Sequence, residues 1–134
     1  MVSAKSIIVV GPDAETSVPN LISGLTAHGL DVVQARTADE LRALLREDAG
    51  ATIIAYNSPG ANTAWCVLKA VADAQRRVPV VVVVKEGNFE QYYDLMSEGA
   101  YDYFDLRDGP EVIERSVRWA AGSRAAQEPR CETT

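Results

Sequence analysis

The feature of this sequence that most limits its fold is an unbroken valine run, Pro79–Val84 (PVVVVV). Valine is β-branched and packs well in strands. A strand with one face in water alternates apolar and polar residues, whereas a strand buried on both faces is continuously apolar. The run therefore predicts a central strand of a parallel sheet, and such a sheet needs helices on both of its faces.

Four other short apolar runs alternate with five helical patterns along the chain. Further strands are predicted at Ser6–Val10, Leu30–Ala35, Ala51–Tyr56 and Tyr101–Phe104. Strict alternation with short connections predicts a parallel sheet with right-handed crossovers. Five such strands predict an α/β, flavodoxin-like fold with strand order 2-1-3-4-5 and helices on both faces.

The helices are predicted from apolar residues at helical spacing and from capping residues. They contain Val18–Leu25, Leu41–Leu45 after a capping box at Thr37–Glu40, Ala64–Val71, a segment that follows Asn88, and Val112–Ala120. Residues 1–121 account for the whole pattern and are predicted to form one domain. Residues 122–134 are predicted to be a polar C-terminal tail or linker.

Composition excludes several classes of protein. The chain of 134 residues is 47% hydrophobic and 24% charged, as expected of one globular domain. Its formal net charge of −6 argues against nucleic-acid binding by this domain. The run Val78–Val84 is too short for a membrane span, which needs about 20 residues. Cys66, Cys131 and His28 lack the spacing of a zinc site, and the cysteine usage favours the cytoplasm.

Three stretches in chain order carry a family resemblance. They are Glu98–Phe104 (EGAYDYF) at the fifth strand, Val78-Pro79 before the valine strand, and Pro59-Gly60 after the third strand. Together they resemble the receiver domain of bacterial response regulators, over about Lys5–Ala121. The resemblance implies the CheY-like form of the flavodoxin-like fold and a role in two-component signal transduction.

The resemblance also implies a specific chemistry. In that family a kinase histidine passes a phosphoryl group to an aspartate at the end of the third strand. An acidic pair after the first strand holds a magnesium ion, which neutralises charge on the phosphoryl group. A Ser or Thr at the end of the fourth strand and a lysine after the fifth contact the phosphate.

This chain departs from the family at each of those positions. The acidic pair falls on Gly11 and Pro12, with Asp13 beside them. Alignment on Pro59 places Ala55 at the nucleophile position, whereas alignment on the strand places Tyr56 or Asn57 there. None of these three side chains is a carboxylate, so none can form an acyl phosphate.

The two phosphate-contacting positions fall on Val84 and Leu106. We expect these two residues to close the mouth between the fourth and fifth strands. We expect a degenerate phosphorylation site without catalytic residues, metal or cofactor. Its residues are Gly11, Pro12, Asp13, Ala55, Tyr56, Asn57, Val84 and Leu106.

Polar residues near this site have simpler structural explanations. Asp13 is expected to cap the first helix, and Asn57 to stabilise its own turn, Asn57–Gly60. Lys85 is expected to be a solvated loop residue rather than a cation that fills the phosphate pocket. His28, next to Gly29, is favoured by the dipole at the end of the first helix.

An aromatic group indicates an interaction surface. Its members are Tyr92, Tyr93, Tyr103 and Trp119, on the fourth helix, fifth strand and fifth helix. In the receiver family this face is the usual partner or dimer surface, and Tyr103 matches the aromatic residue that changes rotamer on activation. Partly exposed Tyr and Trp are frequent interface anchors. The prediction is a module that binds a protein partner or a second copy without aspartyl phosphorylation.

Two other functions remain open from the sequence. The first is a regulatory domain that binds a small ligand or anion at the C-terminal ends of the strands, where this fold usually binds ligands. The second is an active phosphoacceptor or another enzyme, and the missing carboxylates count strongly against it.

Overall fold

The computed structural model describes residues 6–12, 17–47, 52–58, 62–74, 78–109 and 111–120. The strands are β1 (Ser6–Val10), β2 (Asp31–Ala35), β3 (Thr52–Asn57), β4 (Val80–Val84) and β5 (Asp102–Asp105). The helices are α1 (Ser17–Ala27), α2 (Ala38–Glu47), α3 (Thr63–Asp73), α4 (Phe89–Ser97), α5 (residues 111–120) and a 3-10 turn, Leu106–Asp108. Asp13, the Pro59-Gly60 pair and the predicted tail lie outside the described residues.

All five strands form one parallel sheet in the order β2-β1-β3-β4-β5. This confirms the flavodoxin-like α/β fold predicted from the sequence. The parallel register pairs Val10 with Ala55, and Asn57 with Val84. The C-terminal ends of the central strands therefore lie at one edge of the sheet, where β–α loops bring side chains together.

The sheet has an apolar core on each face. One core includes residues of α2, α3 and α4, among them Leu41, Val67 and Leu95, and the other includes residues of α1 and α5, among them Leu25 and Val117. Every residue of β4 is buried, and successive valines belong to opposite cores. The uninterrupted valine run is thus explained by burial on both faces.

Capping residues fix the helix starts as the sequence predicts. The Thr37 Oγ1 accepts from the Glu40 amide at 3.2 Å, while the Glu40 carboxylate reaches back to the amide of Arg36 at 3.2 Å. The Asn88 Oδ1 caps α4 by accepting from the Gln91 amide at 2.8 Å. Among the described helices, none is long and apolar enough to cross a membrane.

One boundary differs from the prediction in a way that concerns function. The sequence predicts that the third strand ends at Tyr56 and that Asn57 begins a turn, but β3 continues through Asn57. Asn57 pairs with Val84 in the sheet and is only 2% exposed. Turn propensity is overridden here because the asparagine side chain accepts a hydrogen bond from the Ala64 amide inside the fold.

Candidate signalling site and interaction surface

Asn57 occupies the C-terminal end of β3 and is bound to α3. Its Oδ1 accepts a hydrogen bond from the backbone amide of Ala64 at 2.9 Å, in the first turn of α3. The side chain of the N-cap residue, Asn62, accepts no hydrogen bond from a backbone amide of the helix, and its Oδ1 accepts from Cys66 Sγ instead. Asn57 therefore satisfies an amide that the local cap leaves open, and it joins the sheet to α3.

Gly11, which stands at the first position of the family's acidic pair, lies in a crowded place after β1. The Gly11 amide donates to the Ala35 carbonyl at 3.0 Å, and its own carbonyl accepts from Gln34 Nε2 at 3.1 Å. A Cβ on Gly11 would lie 2.7 Å from a methyl of Val18. A side chain at this position would therefore require the Val18 side chain, or α1 with it, to shift.

The other residues after β1 add no metal site to the described structure. Pro12 is exposed, and Asp13 lies outside the described residues. Within the described part of the chain, no group of three His, Cys, Asp or Glu residues is arranged to hold a metal ion.

Ala55 and Tyr56 lie inside the two cores and do not face the edge of the sheet. Ala55 packs in the core on the α2–α3–α4 face, and Tyr56 packs in the core on the α1–α5 face. Both are fully buried. The Tyr56 hydroxyl has no hydrogen-bond partner among the described residues, which costs free energy in the folded state.

Val84 and Leu106 do not close a common mouth. Val84 is buried in the core beside α3 and α4, whereas Leu106 packs against the core on the α1–α5 face. Leu106 also lines a cavity of about 250 Å³ together with Ser17, Asn20, Leu21 and Ile113. The expectation that the two residues seal one opening is wrong because they lie on opposite faces of the sheet.

A carboxylate, Asp105, connects the loops that follow β4 and β5. Its Oδ2 accepts from the Gly87 amide at 2.8 Å, and its Oδ1 accepts from the Arg107 backbone amide at 2.8 Å and from Arg107 Nε at 2.9 Å. The Arg107 guanidinium, and then the Gly87 amide, hold the pKa of Asp105 well below its ordinary value. Lys85, on the same loop as Gly87, is exposed as predicted.

Tyr103 is held against the loop between β4 and α4. Its hydroxyl donates to Gln91 Oε1 at 2.7 Å and accepts from the Asn88 amide at 3.3 Å. Burial raises the pKa of Tyr103, and the nearby Asp105 carboxylate adds to this increase. A Cβ on Gly87 would lie 2.9 Å from the Tyr103 hydroxyl oxygen, so the glycine permits this close approach. The contacts fix Tyr103 in one orientation.

The outer surface of α4 carries a cluster of exposed aromatic rings. We call Phe89, Tyr92 and Tyr93 the α4 aromatic cluster; their exposures are 77%, 40% and 62%. The Phe89 ring centroid lies 6.2 Å from that of Tyr92 and 6.4 Å from that of Tyr93. Tyr92 in turn meets Tyr103 edge-on at 5.7 Å. The sequence prediction omitted Phe89, although its spacing from Tyr92 and Tyr93, i to i+3 and i+4, places the three on one helix face.

Trp119 lies apart from this cluster. It is 72% exposed and lines a groove of about 460 Å³ beside β5 and α5, with Tyr101, Phe104, Val112 and Arg115 among the other lining residues. Phe104 packs against the core on the α1–α5 face and Tyr103 against the opposite core, so the groove and the α4 aromatic cluster are on different sides of β5. The four predicted aromatic residues thus form two surfaces.

His28 lies in a set of contacts between α1 and α5, and Cys66 lies on the surface of α3. His28 Nδ1 lies 2.8 Å from the Gly24 carbonyl, and the His28 carbonyl accepts from Arg118 Nη2 at 2.7 Å, which joins α1 to α5. Arg118 also pairs with Glu114 on its own helix. Cys66 is a free, exposed thiol on α3.

Solved structures similar to this chain are receiver domains. The structure titled FixJ-N superposes with a TM-score of 0.76 at 18% identity, covering 91% of this chain and 96% of its own. The receiver domain of a putative LuxO repressor protein from Vibrio parahaemolyticus gives 0.72 at 14% identity, with coverages of 96% and 98%. That of a putative response regulator NarL from Mycobacterium tuberculosis gives 0.71 at 19% identity, with coverages of 88% and 97%.

The chain has the fold of response-regulator receiver domains. No protein-family profile and no curated protein sequence matches it. The similarity therefore lies in the fold and does not extend to the sequence.

Proposed function

We propose that this chain is a signalling module of receiver-like fold that acts by binding another protein and does not require aspartyl phosphorylation. We assign no enzymatic reaction to it, and we place it in the cytoplasm, as the cysteine usage favours. The observation that carries the proposal is Asn57. An amide that caps α3 stands at the end of β3, where the family resemblance implies a phosphoacceptor carboxylate.

The surrounding residues support this proposal. A metal-ligating side chain in place of Gly11 would collide with the Val18 side chain. Val84 offers no hydroxyl, and Leu106 turns into the α1–α5 side of the molecule. Phosphoryl transfer needs positioning and charge neutralisation by such groups, and Gly11, Val84 and Leu106 carry none of them.

Internal hydrogen bonds hold the loop between β4 and α4 in one conformation. Asp105 holds Gly87, and Tyr103 holds Asn88 and Gln91. These contacts are internal to the chain, so the orientation of Tyr103 and the start of α4 do not depend on a phosphate. We therefore propose that the α4–β5–α5 region presents its binding surfaces constitutively.

The first test is phosphorylation with acetyl phosphate and magnesium, followed by intact-mass measurement. We expect no adduct on the wild-type chain. We also expect none on Asn57→Asp, since that variant gains a carboxylate but still lacks metal ligands at Gly11 and Pro12. A hydroxylamine-sensitive phosphoryl adduct on the wild-type chain would overturn the proposal.

The second test concerns the binding surface. Capture of partners from the source cell is compared among the wild-type chain, Tyr93→Ala, Trp119→Ala and Asn20→Ala, which alters exposed α1. Loss of the same partner with Tyr93→Ala or Trp119→Ala, but not with Asn20→Ala, is expected. The opposite pattern would place the binding surface on the α1 side and contradict the proposal.

A second candidate function follows from the cavity beside Leu106. It opens near the C-terminal ends of the strands, between Ser17 and Asn20 of α1 and Ile113 of α5. A small ligand bound there would raise the melting temperature of the chain, because it stabilises the native state. A thermal-shift screen of small anions and metabolites tests this alternative, and Leu106→Trp, which fills the cavity, is the control for any shift observed.

A further inference from the structure

Resting on the proposed function, we propose that the α4 aromatic cluster and the cleft beside it bind a basic, arginine-containing segment of a different protein. The cleft has a volume of about 290 Å³, and the rings of Phe89, Tyr92 and Tyr103 and the carboxylates of Asp105 and Asp108 are among its lining groups. Aromatic faces next to carboxylates match the planar, cationic guanidinium group of arginine.

The rings of Phe89 and Tyr93 contribute little to the core of the fold. Leu95 supplies the fully buried contact of α4 with the sheet, while Phe89 and Tyr93 are 77% and 62% exposed. The rings touch one another and Tyr103 in a continuous row. Contiguous exposed apolar groups of this kind mark interaction sites on soluble proteins.

The charges on this surface identify the chemistry of the occupant. The segment Phe89–Ser97 contains Glu90 and Asp94 but no lysine or arginine. Both carboxylates are exposed, and neither forms an ion pair within the described part of the chain. A partner segment that brings cations to this surface would gain complementary charge on encounter and in the complex.

Of the two carboxylates in the cleft, Asp108 adds negative charge that a cationic partner can meet. Asp105 is already paired with Arg107, so its charge is internally compensated. Asp108 uses one oxygen, Oδ2, to accept from the Asp105 amide at 2.9 Å, and its side chain is exposed at the cleft. A carboxylate can accept several hydrogen bonds, so Asp108 retains capacity for an incoming guanidinium.

A second copy of this chain is a poor occupant of the same surface. In a two-fold dimer the same patch meets itself. Glu90 and Asp94 of one copy would then face an α4 surface that carries only acidic charge, and like charges across an interface are costly. The observations therefore favour a heterologous, basic partner.

The experiment measures binding of the full chain to short labelled peptides by fluorescence anisotropy. The probes alternate alanine with arginine, with lysine or with glutamate. We expect the arginine peptide to bind most tightly, the lysine peptide more weakly, because an ammonium group does not stack on rings as a guanidinium does, and the glutamate peptide not at all. Equal binding of the arginine and lysine peptides would overturn the assignment of an arginine-specific surface.

Matched variants separate this surface from general electrostatic attraction. Tyr93→Ala should weaken binding of the arginine peptide at least about tenfold, whereas Thr26→Ala, at an exposed position on α1, should not. The double variant Glu90→Gln, Asp94→Asn should also weaken binding. The charge-matched double variant Asp39→Asn, Glu111→Gln, at exposed positions on α2 and α5, should leave it unchanged.

Two other outcomes would show that binding depends on net charge or that a second copy occupies the surface. If both double variants lose affinity equally and Tyr93→Ala has no effect, binding follows net charge only and the inference is overturned. Self-association of the wild-type chain in sedimentation equilibrium that Tyr93→Ala abolishes would identify a second copy as the occupant instead. Failure of peptide binding without a phosphoryl adduct overturns this inference alone, whereas an adduct overturns the proposed function.

Discussion

The C-terminal end of the central strands buries a polar side chain, whereas the outer surface of α4 exposes apolar ones. At the strand end, Asn57 is 2% exposed and hydrogen-bonded to the first turn of α3. On α4, Phe89 is 77% exposed, and its ring lies next to the exposed rings of Tyr92 and Tyr93. The first region uses a polar group for internal structure, and the second leaves apolar groups in water.

The difference indicates where function is to be sought. A buried, satisfied polar group stabilises the fold and has little capacity left for chemistry. Exposed rings contribute little to the core, yet they offer contact area to a partner at low entropic cost. If this comparison is correct, substitutions at the strand end change stability, and substitutions on α4 change binding alone.

The largest effect on stability is expected from Asn57→Ala. The substitution leaves the Ala64 amide without its side-chain acceptor at a buried site, which should lower the free energy of unfolding by about 2–3 kcal/mol. Urea denaturation measures the loss. Asn57→Asp retains an acceptor, and the N-terminus of α3 favours its negative charge, so a smaller loss is expected there. Equal stability of wild type and Asn57→Ala would break the comparison.

A smaller loss is expected from Gly87→Ala. The new Cβ would lie 2.9 Å from the Tyr103 hydroxyl oxygen and 3.0 Å from its ring carbon Cε1. Displacement of Tyr103 should cost about 1–2 kcal/mol of unfolding free energy, as overpacking does. In a Tyr103→Phe background, which lacks the hydroxyl, Gly87→Ala should cost less. Additive effects of the two substitutions in urea denaturation would show that the close approach has no energetic consequence.

The next effect depends on pH and concerns Asp105. Its pKa is lowered in the folded chain, so its stabilising contribution is present above its unfolded pKa, about 3.9, and is lost as pH falls further toward the folded value. Asp105→Asn lacks this group. The difference in urea midpoint between wild type and Asp105→Asn should therefore be constant near neutral pH and shrink below about pH 4. If the urea midpoints of wild type and Asp105→Asn differ by the same amount down to acidic pH, Asp105 does not stabilise the fold as proposed. Asp94→Asn, at an exposed position on α4, serves as the control.

The smallest effect on stability is expected from Tyr93→Ala. Its side chain is 62% exposed, and surface substitutions of this kind change unfolding free energy by no more than about 0.5 kcal/mol. Thermal and urea denaturation should match the wild type, while binding of the arginine peptide is lost. A large loss of stability would mean that the ring supports the fold, which would remove the contrast between the two regions.

The sequence specified most of the fold because periodicity reports burial directly. The valine run required cover on both faces of β4, and the structure has it. The Asn88 cap and the Thr37–Glu40 box depend on residues close in sequence, so their hydrogen bonds could be predicted from spacing. Strand order followed from the alternation of elements and the rules of parallel connection.

The candidate site was less predictable because it depends on contacts between distant segments. Sequence alone left Ala55, Tyr56 and Asn57 as alternatives at the end of the third strand. The sheet register resolves which residue ends β3, since Asn57 pairs with Val84 and extends the strand by one residue. A slip of one residue reverses the face on which each side chain lies, so only the register places Ala55 and Tyr56 in opposite cores.

The sequence by itself determined that the chain is a parallel α/β domain and that no carboxylate lies between Asp48 and Asp73, because periodicity and residue identity need no coordinates. Only the tertiary structure decided that Asn57 caps α3, that Val84 and Leu106 lie on opposite faces, and that Trp119 lies apart from Tyr92 and Tyr93. These facts depend on which face each residue of a strand or helix presents. That choice is made by packing between segments far apart in the chain.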